Sequence, residues 1–302
     1  MARLFSLLLG ISILTLALPA GAVLRIVAST PDLASVARAI GEPHVSVSAL
    51  ALHSQDPHWV DAKPSLALEL SRANLLLLTG ADLEVAWLQT LLVGSRNAEI
   101  QKGARGHLDC SELVDLLEVP TGKVDRSQGD LHPFGNPHYM LDPRVVERVA
   151  VGIGKRMASL DPSHKQAYLD GTKRFLESLR KARAGWEKRL SGLRGKEVVA
   201  YHKSLSYLAS WLGFTVLEHL EPRPGIPPNP RHVAHVVQVA RAHGVRLVLQ
   251  EAWFPSSTSR VVADKCGARL VVLAGQPNFS AGETLIAFIE SNVKRLERGL
   301  GG

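Results

Sequence analysis

The chain carries the same rhythm twice. Short apolar runs, bounded by Gly, Pro or Ser and too brief for helices, alternate with stretches of helical periodicity from residue 24 to about 92, and again from 198 to 298. Such alternation dictates parallel strands, because each strand must be followed by a helix that returns the chain across the sheet. The pattern predicts strands at residues 24–28, 45–52 and 75–79, with helices from Pro31 toward Ile40 and over 65–73 and 84–92. In the second half it predicts strands at 198–201, 215–219, 246–250 and 270–273, with helices over 205–212, 232–242, 258–266 and 283–298. Between the halves lie a Gly-, Pro- and His-rich loop over 120–137, a helix from Pro143 to Leu160, and a charged stretch opened by Asp161-Pro162 that reads as helix to about 193. A helix of about thirty residues would be roughly 45 Å long, more than one lobe needs, so it reads as a strut. The expectation is an α/β fold of two lobes, each with a mainly parallel sheet flanked by helices, joined by one long helix. The units are residues 23–160, 161–194 and 195–302, in keeping with a length of 302 residues that exceeds what one core usually serves.

The first 22 residues read as a cleavable signal peptide: Arg3, an apolar run over 4–18, and Ala20-Gly21-Ala22 before Val23 as the first mature residue. That run is shorter than the roughly 20 residues a membrane span requires. Export to the periplasm is expected, and no cysteine near the cleavage site invites a lipid anchor. Cys110 and Cys266 lie in opposite halves and form no C-x-x-C pair, so two separately buried thiols are preferred to a disulfide. The formal net charge of +7 raises a nucleic-acid reading. The basic residues, however, scatter along helical stretches such as 174–194 and alternate with Glu177 and Glu187, which describes a solvated helix face. No nucleic-acid partner is expected, and the chain is read as a monomer.

Ligands of open α/β sheets bind at the carboxyl ends of strands, and three histidines sit there. His58 follows the strand ending near Leu52, His138 precedes the helix at Pro143, and His202 directly follows the strand at 198–201. Singly each is a common turn residue; three in matching positions point to a metal. Neutral imidazoles suit Zn2+, and a tetrahedral site needs one more donor. Glu251, at the end of a buried strand, is one candidate, either as a ligand or as an acceptor behind a ligating histidine. His132 in Gly129-Asp130-Leu131-His132-Pro133 is the other, read either as a loop residue that delivers metal or as a solvated one. His53, His107, His164, His219, His232, His235 and His243 show no clustered spacing and are read as structural. Asn278-Phe279-Ser280 matches a glycosylation acceptor, to which no function is assigned.

With those residues in view, the chain resembles the zinc/manganese substrate-binding proteins of ABC importers across nearly its whole mature length. Gln55-Asp56-Pro57-His58 resembles the first ligand segment of that family, the run from Asn136 to Pro143 the second, and Tyr201-His202-Lys203-Ser204-Leu205-Ser206-Tyr207 the third. The runs from Glu221 to Pro228 and from Leu249 to Glu251 also look like its second lobe. The resemblance implies metal capture between two α/β lobes and delivery to a membrane permease, with no bond made or broken. Two departures stand out. Where many members carry a ligand aspartate in Leu-Asp-Pro, this chain has Leu273-Ala274-Gly275, and the loop before the second ligand is short and holds one histidine, His132. Losing a carboxylate favours zinc over manganese, although copper or nickel can bind an imidazole set more tightly in vitro. The rival readings are a secreted zinc hydrolase with Glu251 as general base, and a periplasmic metallochaperone or adhesin on the same scaffold. No H-E-x-x-H motif supports the first.

Overall fold

The computed structural model describes residues 23–122 and 132–301; residues 1–22, where a signal peptide is expected, residues 123–131 of the central loop and residue 302 lie outside the described residues. The first lobe contains β1 (Leu24–Ala28), β2 (Val45–Ala49), β3 (Leu75–Leu78) and β4 (His107–Asp109), ordered β2-β1-β3-β4 and parallel throughout. The second contains β5 (Glu197–Ala200), β6 (Thr215–His219), β7 (Leu247–Glu251) and β8 (Arg269–Leu273), ordered β6-β5-β7-β8 and again parallel. The two sheets therefore share one topology, and in each the first strand lies inside the sheet with its neighbours reached by opposite crossovers. That is the switch point beyond whose carboxyl end a crevice opens. Strands such as β3, buried at all four residues, are covered by helices on both faces, which is why they read as continuous apolar runs.

Helices α1 (Pro31–Gly41), α2 (Pro64–Leu70) and α3 (Leu88–Ser95) serve the first sheet, and α6 (Ser206–Leu212), α7 (Pro230–Ala242), α8 (Ser256–Cys266) and α9 (Leu285–Leu300) the second. Between them come α4 (Pro143–Leu160) and α5 (Lys165–Arg189). Asp142 caps α4, accepting from the Arg144 N–H at 2.8 Å, and Pro143 supplies a first-turn residue with no N–H to leave unpaired. The long stretch opened by Asp161 is shorter than expected: single 3-10 turns at Pro162–His164 and Ser191–Leu193 bracket the 25 residues of α5. It packs on α4 and α1 and reaches α9, where Arg189 is bidentate on Glu297 through Nε and Nη2 and shares Nη1 between both oxygens of Glu290, at 2.7–3.0 Å.

Two further differences have local causes. The predicted helix at 84–92 begins only at Leu88, because Ala81 and Asp82 take positive φ and Glu84 turns its carboxylate back onto the Thr79 and Gly80 N–H groups. Strand β4 is three residues long, too short to announce itself by alternation. Cys110 and Cys266 are both unbridged, Cys110 fully buried and Cys266 partly so.

One core cluster runs through both lobes, from Ile26 and Leu77 past Ile153, Phe175 and Trp186 to Val198, Leu249 and Phe288. Smaller clusters fill the outer faces of each sheet. Each fully buried large apolar side chain contributes roughly 1.5–3 kcal/mol, so a shared core makes the lobe interface a stiff contact. Among the described residues no helix is long and apolar enough to cross a membrane.

Candidate metal centre

His58, His138 and His202 converge. One ring nitrogen of each lies within 4.8 Å of those of the other two, and the ring centroids are 5.2–5.4 Å apart. His58 sits in the loop after β2 and His138 in the turn leading to α4, while His202 comes from the other lobe, just past β5.

The same local device orients the first two. In Asp56-Pro57-His58 the Asp56 Oδ1 accepts from the His58 backbone N–H at 3.0 Å and from Nδ1 at 2.6 Å. In Asn136-Pro137-His138 the Asn136 Oδ1 accepts from the His138 N–H at 3.0 Å and from Nδ1 at 2.8 Å. An acidic or amide residue two positions ahead thus folds onto the histidine as an Asx turn, with the intervening proline stiffening it. The Trp87 indole N–H, donated to the Pro57 carbonyl at 3.0 Å, pins the first turn. Asn136 reaches across the lobes, donating Nδ2 to the Lys203 carbonyl at 2.8 Å and to Glu118 at 2.9 Å. His202 has a carboxylate partner from its own lobe: Glu221, beyond β6, holds Nδ1 at 2.6 Å and also accepts from the Gly225 N–H. Each imidazole therefore carries its proton on Nδ1 and turns the Nε2 lone pair inward, the form a metal needs.

The electrostatics follow. Burial, with the neighbouring imidazoles adding to it, pushes His138 well below its usual range and keeps it neutral. Burial would do the same to His202, but the Glu221 carboxylate outweighs it and raises this group. Burial would raise Asp56, yet its bonds from His58 win and lower it. His219, read as structural, is driven down to about 4 by burial and then by His202 and Lys203, and its carbonyl accepts from the His232 ring.

Of the two further candidates, His132 stands beside the trio without joining its mutual 4.8 Å grouping: its Nε2 is 3.2 Å from His58 Nε2, and its ring centroid is 6.0 Å from that of His138. Glu251 is not in the trio. It ends β7, is 3% exposed, accepts from the Ser204 hydroxyl through Oε1, and has no hydrogen-bond partner at Oε2 among the described residues. Burial raises its pKa against the opposing Ser204 bond and His202 charge. It lines a small cavity of about 40 Å³ behind His138, shared with Thr30, Asp32 and Thr79. The orienting parts of Asp56, Asn136 and Glu221 are not assigned by the sequence pattern alone. The repeated Asp/Asn-Pro-His spelling is the available signal for two of them; Glu221, 19 residues from its histidine, is marked only by the resemblance of its segment to the family's second lobe, which carries no role for it.

Residues 26–299 match the family model described as zinc-uptake complex component A periplasmic, ZnuA. Among curated relatives, the high-affinity zinc uptake system protein ZnuA of Yersinia pestis is 22% identical over 255 residues, which is 81% of this chain and 80% of that protein. The metal ABC transporter substrate-binding lipoprotein ScbA of Streptococcus cristatus is 25% identical over 159 residues, 52% of this chain and 48% of its own length, so that match spans about half of the relative. A solved ZnuA crystal structure superposes with a TM-score of 0.76 at 23% identity, covering 92% of this chain and 99% of that one. The manganese-bound periplasmic metal-binding protein from candidatus liberibacter asiaticus does so with a TM-score of 0.75 at 19% identity, covering 91% and 99%.

Proposed function

The chain belongs to the ZnuA family of periplasmic zinc-uptake components, and from that premise we propose that it captures a single zinc ion between its lobes and hands it to the permease of an ABC importer. The metal is cargo. His58 and His138 supply Nε2 donors from residues 23–160, His202 supplies the third from residues 195–302, and His132 closes the tetrahedron. The observation that carries this reading is the convergence of three imidazoles from opposite lobes, each already held at Nδ1.

Zinc is favoured over manganese by the donor set, since imidazole nitrogen suits zinc whereas manganese prefers oxygen. Charge is balanced as well, for either divalent ion. Asp56 and Glu221 place two carboxylates directly behind ligand rings, so a divalent ion is neutralised without a carboxylate touching it. Neither candidate belongs to the trio itself; His132 is preferred to Glu251 as fourth donor because its Nε2 already lies 3.2 Å from that of His58, whereas Glu251 has one oxygen engaged by Ser204. Manganese is the rival cargo, and the Streptococcus mitis relative PsaA is named for it. The hydrolase reading is not favoured, because the named relatives are uptake and substrate-binding proteins. A metallochaperone or adhesin role would use the same centre and differ only in partner. The monomeric, exported form, with residues 1–22 removed, completes the proposal.

The test is uptake. Deleting the gene should abolish growth under zinc chelation and lower uptake of radiolabelled zinc. The wild-type gene should restore both, and a His58→Ala/His138→Ala/His202→Ala version should not. Rescue by added manganese but not zinc would overturn the choice of metal.

A further inference from the structure

Away from the histidines, the outer edge of the second sheet carries a groove of about 560 Å³. Its floor is β8, the edge strand, and its walls are α8 and the last turns of α9. Four arginines line it: Arg260 from one wall, Arg269 from the floor, and Arg295 and Arg298 from the other wall. None of the four is ion-paired with a carboxylate among the described residues, and Asp264 is the lone acid in the lining. Two are nevertheless anchored. Arg269 donates to the Arg298 and Gly299 carbonyls at 3.2 and 3.3 Å, and Arg295 donates Nη1 to the Val272 carbonyl at 3.2 Å while its buried Nε has no acceptor among the described residues.

The strand edge is open as well, apart from the Val272 carbonyl that Arg295 takes. The Arg269 N–H bonds to Arg246 on the β7 side, so with the two-residue period of a strand Leu270 and Val272 point their N–H groups away from the sheet, into the groove. An open edge with unused N–H groups is a template for another strand. Gly299 lets the wall come close: a Cβ there would meet Val271 Cγ2 at 2.4 Å.

We propose that this groove binds an extended acidic segment of a partner protein, which adds as a further strand along β8. Guanidiniums on both walls meet carboxylates on both faces of such a strand, since its side chains alternate, and the backbone pairs with the outward groups of Leu270 and the Val272 N–H. A strand matching the five residues of β8 spans roughly 16 Å. A flat anionic surface would engage the exposed Arg260 and Arg298 but would leave the edge N–H groups unused.

The experiment is fluorescence anisotropy of an acetylated hexaglutamate carrying an uncharged dye, titrated with residues 23–302 at low salt. Hexaglutamine, hexaglutamate N-methylated at alternate residues, and phosphatidylglycerol vesicles serve as comparisons. Hexaglutamate should bind, Arg260→Glu/Arg298→Glu should weaken it about tenfold or more, and alternate N-methylation should weaken it similarly. Should the charge-reversed chain melt early, Arg260→Gln/Arg298→Gln serves instead. Equal binding by variant and wild type, equal binding of the N-methylated peptide, or variant-sensitive binding of vesicles without binding of hexaglutamate each overturns the proposal.

Discussion

At each of the three converging histidines an acceptor at Nδ1 fixes which nitrogen faces the shared space, and that choice is made by Asp56, Asn136 and Glu221 rather than by the metal. Removing such a partner frees the ring to rotate or change tautomer and weakens the donor. Glu221→Gln is therefore expected to lower zinc affinity by roughly 10–100-fold, read by competition against a chelator, with the melting temperature of the metal-free chain little changed. Unaltered affinity would show that the histidine needs no orienting. A second residue-scale prediction concerns Asp161. Burial would raise its carboxyl, but bonds from Ser163, Tyr168 and His164 outweigh that and bring it down to about 2 from 3.8. With the folded value below the unfolded one, the group contributes stability above pH 3.8 and loses it as pH falls toward 2. Discounted for solvent screening, the contribution is about 1 kcal/mol. The drop in urea midpoint between pH 5 and pH 3 should be smaller in Asp161→Asn than in the wild type; equal drops would contradict the assignment.

At the scale of elements, the seating of α5 depends on a small residue. Gly171 faces the end of α1, where an added Cβ would lie 2.0 Å from the Ile40 carbonyl oxygen, a backbone atom that cannot swing away. Gly171→Ala should destabilise the fold by about 1–3 kcal/mol, despite alanine being the better helix former. A neutral or higher melting temperature would show that α1 and α5 have room to part. The same scale explains what the sequence made legible. Strands buried on both faces, such as β3, and helices opened by a capped proline, such as α4, announce themselves through local chemistry that tertiary structure does not override. The start of α3 and the existence of β4 were not legible, because one is set by a side chain folding back onto the backbone and the other by pairing with β3 alone. In the candidate centre the three histidines were readable from their strand-end positions. The third orienting group was not, since Glu221 meets His202 only through the pairing of β6 with β5.

The whole molecule is two copies of one sheet topology sharing a continuous core, spanned by a helix of 25 residues that is clamped to α9 through Arg189. Opening the lobes widely would expose that core, so metal binding should order loops around the centre rather than swing the lobes. The radius of gyration, about 19 Å for a compact chain of this size, should change by less than about 0.5 Å between stripped and zinc-loaded protein in solution scattering. A contraction of several ångströms would mean a hinge that the shared core forbids. Zinc should also raise the melting temperature by mass action, since the unfolded chain does not hold the three rings together. The central claim is the three-histidine centre, and the direct measurement is a zinc titration of stripped residues 23–302 beside the His58→Ala/His138→Ala/His202→Ala variant, following bound stoichiometry. One tightly bound zinc per chain, lost in the variant, is the predicted result, whereas a variant that binds zinc as tightly as the wild type would contradict the account.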